Sequence, residues 1–377
     1  MYLFCRWRLL LPQATIDMTR PTHALINWSN FRQNYQLAKS KAPGSAYAVI
    51  KADGYGHGMV RCARALGDAD GFAVACVDEG LLLRQAGIKR PVLVLQGAYD
   101  ADEWQIASAH NLQLVVHHAQ QLVERELATL ENPVDVWLKI NSGMNRLGIR
   151  ATEAEPLMAL INDDDKLELT HVMTHFADAD LAQPEAFSAA IEIMKAQDWS
   201  LPLSVSNSAA TITQLVAELE GDGSVSRPGI MLYGSSPLAT QSATDLGLKC
   251  VMTLKSQVIH VHDVKAGEKV GYGGDWTAEK DSRIAVVAIG YGDGYPRQAP
   301  SGTPILVEGH RCSLVGRVSM DMITVDISEY ADIQVGSEVE LWGENIDVDE
   351  IARLCNTIAY ELFCQLTPRV KRVAAEG

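Results

Sequence analysis

Short apolar, β-branched runs alternate with helix-length stretches from Ala46 to Arg227. The runs are AYAVI (46–50), GFAVA (71–75), PVLVL (91–95), LQLVV (112–116), VDVWLKI (134–140), LELTHVM (167–173), PLSVS (202–206) and SVSR (224–227). Most are too apolar for a strand with one wet face and read as buried on both sides. Between them Val77–Ala86, Ala119–Leu130, Glu153–Ile161 and Pro184–Gln197 repeat apolar residues at helical spacing, often after Asp, Ser or Thr. Eight strand-then-helix units predict an α/β architecture, a (β/α)8 TIM-type barrel, with a doubly wound sheet as the alternative.

After about residue 245 the rhythm changes. MTLKSQVIHV, RIAVVAI, TPILVEG, RCSLVG, MITVDI and EVELWG are strand candidates punctuated by Gly, Pro and Asp, and only Val348–Asn356 reads as a helix. The pattern divides the chain into an N-terminal extension over 1–19, a barrel over 20–245 and a mostly-β C-terminal domain over 246–377. A length of 377 residues agrees with two domains, and the absence of a flexible linker predicts that they pack closely.

Composition narrows the classes of function. A net charge of -15 with no basic, aromatic-interleaved stripe argues against nucleic acid as a partner. No stretch is long and apolar enough for a membrane span. Seven scattered cysteines without a C-x-x-C pair read as reduced thiols, and Arg6 and Arg8 interrupt the apolar opening, so a cytoplasmic location is expected. Met18 opens a more ordinary start, MTRPTHALIN, and no structural role is assigned to residues 1–17. His260 and His262 share a strand face but lack a visible third ligand and read as structural, so no metal is expected.

The most informative segment is AVIKADGYGHG (48–58). A strand ending at Ile50 delivers Lys51 to the carboxyl-terminal mouth of the barrel, where a desolvated amine can attack an aldehyde. Gly54, Gly56 and Gly58 permit tight backbone geometry, and Tyr55 and His57 add polar groups. Taken alone, Lys51 is a strand-end lysine with its head in water. Asn207 and Ser208, after the seventh strand, open a helix, and Gly229 and Ile230 follow the eighth, where barrels commonly hold a phosphate; taken alone, Ser208 is a helix cap.

The lysine segment resembles the pyridoxal-phosphate attachment signature of the alanine racemase family. The resemblance continues in order through WLKINSGMNRLG (137–148), THFADAD (174–180), SNSAAT (206–211), RPGIMLYG (227–234), VGYGGDW (270–276), IGYGDGYP (289–296), GRVSMDM (316–322) and NTIAYELFCQLTPRVKR (356–372). It implies a pyridoxal 5'-phosphate enzyme that interconverts L- and D-alanine, supplying D-alanine for cell-wall peptidoglycan. Removing an α-proton and returning it on the opposite face needs two bases. The resemblance assigns these to Lys51 and to Tyr272, the latter from the second subunit of a homodimer with shared sites. A free phenol titrates near ~10 and needs help to act as a base; the resemblance implies a hydrogen-bonded chain from Tyr272 through His175 to Arg227.

Arg227, always charged and donor-only, would leave the cofactor's pyridine nitrogen unprotonated and disfavour side reactions. The resemblance further implies phosphate contacts from Tyr55, Ser208, Gly229, Ile230 and Tyr360, and cofactor and substrate contacts from Arg146. It implies a carboxylated Lys139 behind Arg146, a carboxylate pocket from Met320 and Asp321 of the partner, and an entrance narrowed by Tyr291 and Tyr360. Asn141 replaces the Asp of many relatives, and Ser319 the Cys of some. A broad-specificity or serine-type racemase shares nearly all of these motifs. A decarboxylase of basic amino acids should lack the VGYGG and GYGDGY blocks, and a non-catalytic cofactor carrier should lack the β domain.

Overall fold

The computed structural model describes residues 20–176, 184–196 and 199–375. The expectations for residues 1–19 lie outside them. All eight predicted barrel strands form, and in parallel: β2 (Ser45–Val49), β3 (Gly71–Val74), β4 (Val92–Val94), β5 (Gln113–Val116), β6 (Val134–Lys139), β7 (Leu167–Met173), β8 (Leu203–Ser204) and β9 (Val225–Ser226). Their order, β8-β7-β6-β5-β4-β3-β2-β9, brings the last two strands to opposite edges of one curved sheet. There Arg227 N donates to Ser206 O at 2.8 Å and the Ser204 hydroxyl donates to Val225 O, which closes the barrel. Every residue of β3 and β4 is buried, as runs packed on both faces require.

Two of the helices between the strands, Ala101–Ala109 and Ser208–Thr213, start at side-chain caps, whereas those at Val77–Gln85, Gln120–Glu126 and Ala154–Asn162 start without one. Asp100 Oδ1 accepts from Glu103 N at 2.9 Å and Asn207 Oδ1 from Ala210 N at 3.1 Å. A helix over Trp28–Lys41 precedes β2, capped by Asn27.

The second sheet is built around one long strand, β10 (Met252–Val264). The hairpin β11 (Lys269–Val270) and β12 (Trp276–Thr277) projects from it. β13 (Ser282–Val287), β14 (Pro304–Val307), β15 (His310–Leu314), β16 (Ile323–Asp326) and β17 (Glu338–Trp342) complete its antiparallel part. Two register shifts, between Leu254 and Lys255 and between Val258 and His260, let β10 pair with β17 along one half and β13 along the other.

Two features go beyond the sequence reading. A short strand ahead of the barrel, β1 (His23–Ile26), runs between β10 and the last strand, β18 (Lys371–Ala374), so both ends of the described chain meet in the second sheet. Besides the expected helix, found over Val348–Leu354, a second one covers Ala359–Cys364; six residues are too few to give a helical repeat to detect. Its Phe363 packs edge-on against His57, and Arg372 Nε donates to Gly56 O at 2.9 Å, so the second domain floors the lysine segment.

The buried face of β1 is small but fully enclosed, with Ala24 and Ile26 both at 0% exposure. Ile26→Ala should therefore cost about 2–5 kcal/mol in urea unfolding with an unchanged denaturant slope. A cost below about 1 kcal/mol would mean that β1 is a loosely attached tail.

Candidate active site

Past β2 the chain bends at the carboxyl-terminal mouth of the barrel, and Lys51 begins a single turn, Lys51–Tyr55. That turn is left-handed: Ala52, Asp53, Gly54, Tyr55 and Gly56 have φ of 52°, 52°, 62°, 46° and 73°. An L-residue with a side chain costs roughly 1–2 kcal/mol in this region, so Ala52, Asp53 and Tyr55 together hold roughly 3–6 kcal/mol of strain. Surrounding contacts restrain it. Glu79 Oε1 accepts from Ala52 N at 2.7 Å, Asp53 Oδ1 accepts from Met59 N at 2.8 Å, and His57 Nδ1 donates to Tyr55 O at 2.8 Å. A Cβ at Gly56 would lie 2.2 Å from Phe363 O, so only glycine fits there. Burial pushes His57 down to about 4, keeping the ring neutral.

Around Lys51 the other barrel strands deliver basic groups. Burial and then Arg146 lower the Lys51 amine, with Glu79 and Cys364 opposing. Lys139, at the end of β6 and 7% exposed, is pushed down to about 8 by burial, Arg227, Arg146 and Lys51. Beyond β7, burial followed by Arg227, Lys139, Arg146 and Lys51 takes His175 to about 3. Arg227 after β9, buried at 4% exposure, falls to about 10 through burial, opposed by Glu220, and stays cationic at neutral pH. Such a site favours an anion, and it makes an amine available as a nucleophile.

A cup of proton donors lies beside this cluster. Ser208 Oγ accepts from Gly229 N at 2.7 Å, leaving its own proton free to donate outward. Ile230 opens the buried turn that follows, and a Cβ at Gly229 would sit 2.8 Å from Tyr55 Oη. Burial raises the Tyr55 phenol well above its ordinary range and lifts Tyr360 to about 12, so both remain donors. Their rings meet edge to face with centroids 5.6 Å apart.

Arg146 stands on an exposed turn shaped by Asn141, whose Oδ1 accepts from Gly143 N at 3.1 Å and Asn145 N at 3.0 Å. An amide in place of a carboxylate at Asn141 therefore still builds the turn. The remaining sequence-predicted residues belong to the second domain. Tyr272, 71% exposed, tips the β11–β12 hairpin among Gly271, Gly273 and Gly274, all with positive φ, and Arg317 pairs with Asp275 at its base. Tyr291 and Met320 lie on zipped loops, with Tyr291 N donating to Ser319 O at 3.0 Å and Gly292 N to Met320 O at 2.8 Å. Arg369 holds Asp321 at 2.7 Å, and buried Asp293 pairs with Arg20 at 2.7 Å and Arg369 at 3.2 Å. Among the described residues no hydrogen bond joins Tyr272 to His175 within one chain; the two side-chain bonds of Arg227 go to Ser204 Oγ and Thr174 O.

Glu79, Glu220 and Asp293 escaped the sequence reading. Glu220 Oε1 accepts from Val205 N and Ser206 N, both at 2.9 Å, and its Oε2 from the Ser206 hydroxyl at 2.7 Å, bracing the β8 end that leads to Ser208. Nothing local marks it. Glu79 carries a signal, its place in the first turn of the helix Val77–Gln85, but that signal reads only as a helix start.

Residues 26–237 match the family model "Alanine racemase, N-terminal domain", and residues 251–374 match "Alanine racemase, C-terminal domain". The chain is 46% identical over 365 residues to an alanine racemase of Pseudomonas fluorescens, covering 95% of this chain and 100% of that one. It is 45% identical to a catabolic alanine racemase of Pseudomonas putida, covering 92% and 97%. The crystal structure of a biosynthetic alanine racemase from Pseudomonas aeruginosa superposes with a TM-score of 0.90 at 43% identity, covering 95% of this chain and 100% of that one.

The neutral, buried His57 predicts a pH dependence of stability. Its folded pKa of about 4 lies below the ordinary ~6.5. Its contribution is complete above about pH 6.5 and is lost as pH falls from there through 4. Urea unfolding should show a loss between about pH 7 and pH 4 that is of order 3 kcal/mol larger for the native chain than for His57→Asn, which keeps a donor near the Nδ1 position. Equal losses would refute the assignment.

Proposed function

The chain belongs to the alanine racemase family, and from that premise we propose that it interconverts L- and D-alanine using pyridoxal phosphate at the barrel mouth, with Lys51 and Tyr272 as the two acid/base groups. It is an amino-acid isomerase. The observation that carries the site assignment is the gathering of Lys51, Lys139, Arg146, His175 and Arg227 around the lysine turn, beside a cup whose groups all donate.

These residues fit the cofactor. A dianionic phosphate matches Ser208, Gly229, Ile230, Tyr55 and Tyr360, with Asn207 capping the helix that presents Ser208. When bound, pyridoxal phosphate supplies an aldehyde that condenses with the substrate amine and a ring that makes the α-proton acidic. Lys51, its amine lowered by burial, anchors the cofactor and, once displaced, holds or takes the proton on one face. Arg227, donor-only, would face the ring nitrogen of a bound cofactor and so would limit the ring's electron withdrawal and protect against side reactions. Arg146 orients the substrate carboxylate. Lys139, at about 8, has enough neutral amine to take up carbon dioxide as a carbamate and so offer Arg146 a negative partner.

Tyr272 supplies the second base from another copy of the chain. Its 71% exposure on a projecting hairpin supports this, as does the company of other exposed apolar residues, Tyr291 at 39% and Met320 at 52%. In that homodimer Tyr272 would reach the His175–Arg227 pair of its partner, while Met320, Asp321 and Tyr291, with Tyr360, would bound a small side chain. An entrance narrowed in this way would favour alanine over the serine-type or broader alternative. The six described cysteines are unpaired, and no described helix is long and apolar enough to cross a membrane; we assign the protein to the cytoplasm and its D-alanine to cell-wall peptidoglycan.

The test is complementation. Lys51→Ala and Tyr272→Ala should each lower racemisation, followed by chiral chromatography of L-alanine beside L-serine, by at least about 100-fold. Refolding the two variants together should restore about a quarter of native activity, since half of the chains form mixed dimers with one intact site each. Borohydride reduction of the native protein should leave a pyridoxyl label on Lys51. Mixed dimers no more active than their parents would sink the shared site.

A further inference from the structure

We propose that Glu79 is the positioning residue of Lys51, its carboxylate bridging the left-handed lysine turn to the neighbouring strand and fixing the direction in which the amine points. The inference rests on the assignment of Lys51 as the reactive lysine. Glu79 lies in the first turn of the helix Val77–Gln85, where a glutamate ordinarily satisfies one free amide of its own helix. Here neither oxygen does so: Oε2 accepts from Ala75 N at 2.7 Å, ahead of the helix and of its cap residue Cys76. Oε1 leaves the helix altogether and accepts from Ala52 N, also at 2.7 Å. Ala52 immediately follows Lys51 and is the first of the residues forced to positive φ.

No helix needs the second contact. Without an acceptor there, the Ala52 amide loses its restraint, and the strained turn can relax toward right-handed backbone, swinging Lys51 away from the mouth. The bridge also fixes spacing, because Ala75 directly follows β3, the neighbour of β2 in the barrel. One carboxylate therefore ties together the ends of the two strands beneath the reactive amine.

Glu79 also brings charge. Among the described residues, the groups acting on Lys51 or sensing it are Arg146 from the turn after β6, Lys139 at the end of β6, His175 after β7, Cys364 from the helix Ala359–Cys364, and Glu79 itself. Glu79 is the one carboxylate among them, and it raises the amine's affinity for a proton against burial and Arg146. A group that must hold a proton as well as release it gains from such a counterweight.

Glu79→Gln is nearly isosteric but can accept at only one of the two amides, and it carries no charge. Racemisation should fall about 10- to 100-fold in kcat with KM changed less than about 3-fold. On the full chain freed of cofactor, the pH midpoint for acylation of Lys51, read by peptide mass spectrometry, should move down by about half a unit or more. Because the substitution also releases a strained turn, the double variant Ala52→Gly, Glu79→Gln is the control. Glycine accepts positive φ, so it should restore the thermal midpoint without restoring either kcat or the acylation midpoint. Native kcat and acylation midpoint in Glu79→Gln would overturn the proposal, as would full recovery of both in the double variant, which would reduce Glu79 to a brace against strain. Acylation is read without cofactor or substrate, so this outcome is separate from whether the native chain racemises alanine.

Discussion

The barrel mouth is organised by basic groups that, among the described residues, outnumber the carboxylates acting on them. Lys51, Lys139, Arg146, His175 and Arg227 act on one another from four different strand ends, and each of the buried ones is driven toward its neutral form. Among the described residues, Glu79 and Glu220 are the carboxylates acting on them, and both are committed to backbone amides and hydroxyls. An entering anion is therefore stabilised by several groups at once without any of them having to move far, which is the electrostatic form of preorganisation. The same crowding costs stability in the empty protein. Functional sites commonly depart in this way from what the rest of a fold would favour.

A strained and charged site needs a firm support, and the second domain provides part of it. The Ala359–Cys364 helix lies against the lysine turn, with Phe363 over His57 and its carbonyl filling the space beside Gly56. Arg372 then reaches back to Gly56 O from the strand β18, which is paired with β1 from the other end of the chain. The reactive lysine is held by elements distant in sequence, so its geometry depends on the two halves folding together. This explains the close packing that the absence of a linker predicted.

How much of this was legible in the sequence follows from the range of each interaction. All eight barrel strands could be read because buried parallel strands announce themselves as short apolar runs, whatever happens elsewhere in the chain. Lys51, Ser208 and Gly229 could be singled out because strand, turn and helix succeed one another locally. Their roles came from resemblance. Nothing local shows that Arg227 is buried and donates to Ser204 Oγ and Thr174 O. β1 was missed because four alternating residues carry little periodic signal, and the helix over Ala359–Cys364 because it is even less regular than it is short. Glu79 was hidden for a different reason: its place in the first turn reads as an ordinary helix start, while both of its oxygens accept from amides outside that helix.

The buried tyrosines support the proposal that the second base comes from outside the barrel. Tyr55 and Tyr360 already stand beside the cluster, yet burial makes loss of their protons harder, so they serve as donors to an anion and are poor bases. A phenol that is to accept a proton must arrive where its own anion can be compensated, and the cations at the mouth offer such a place only to a group that enters from the open side. Tyr272, exposed on a glycine-lined hairpin that Arg317 and Asp275 pin, suits such an approach. On the proposed assignment the site would separate two demands that one buried phenol could not meet together: donors would stay protonated inside the barrel, and the proton-accepting group would come from a partner's surface. Dimerisation would then be part of the acid/base chemistry as well as a means of covering apolar surface.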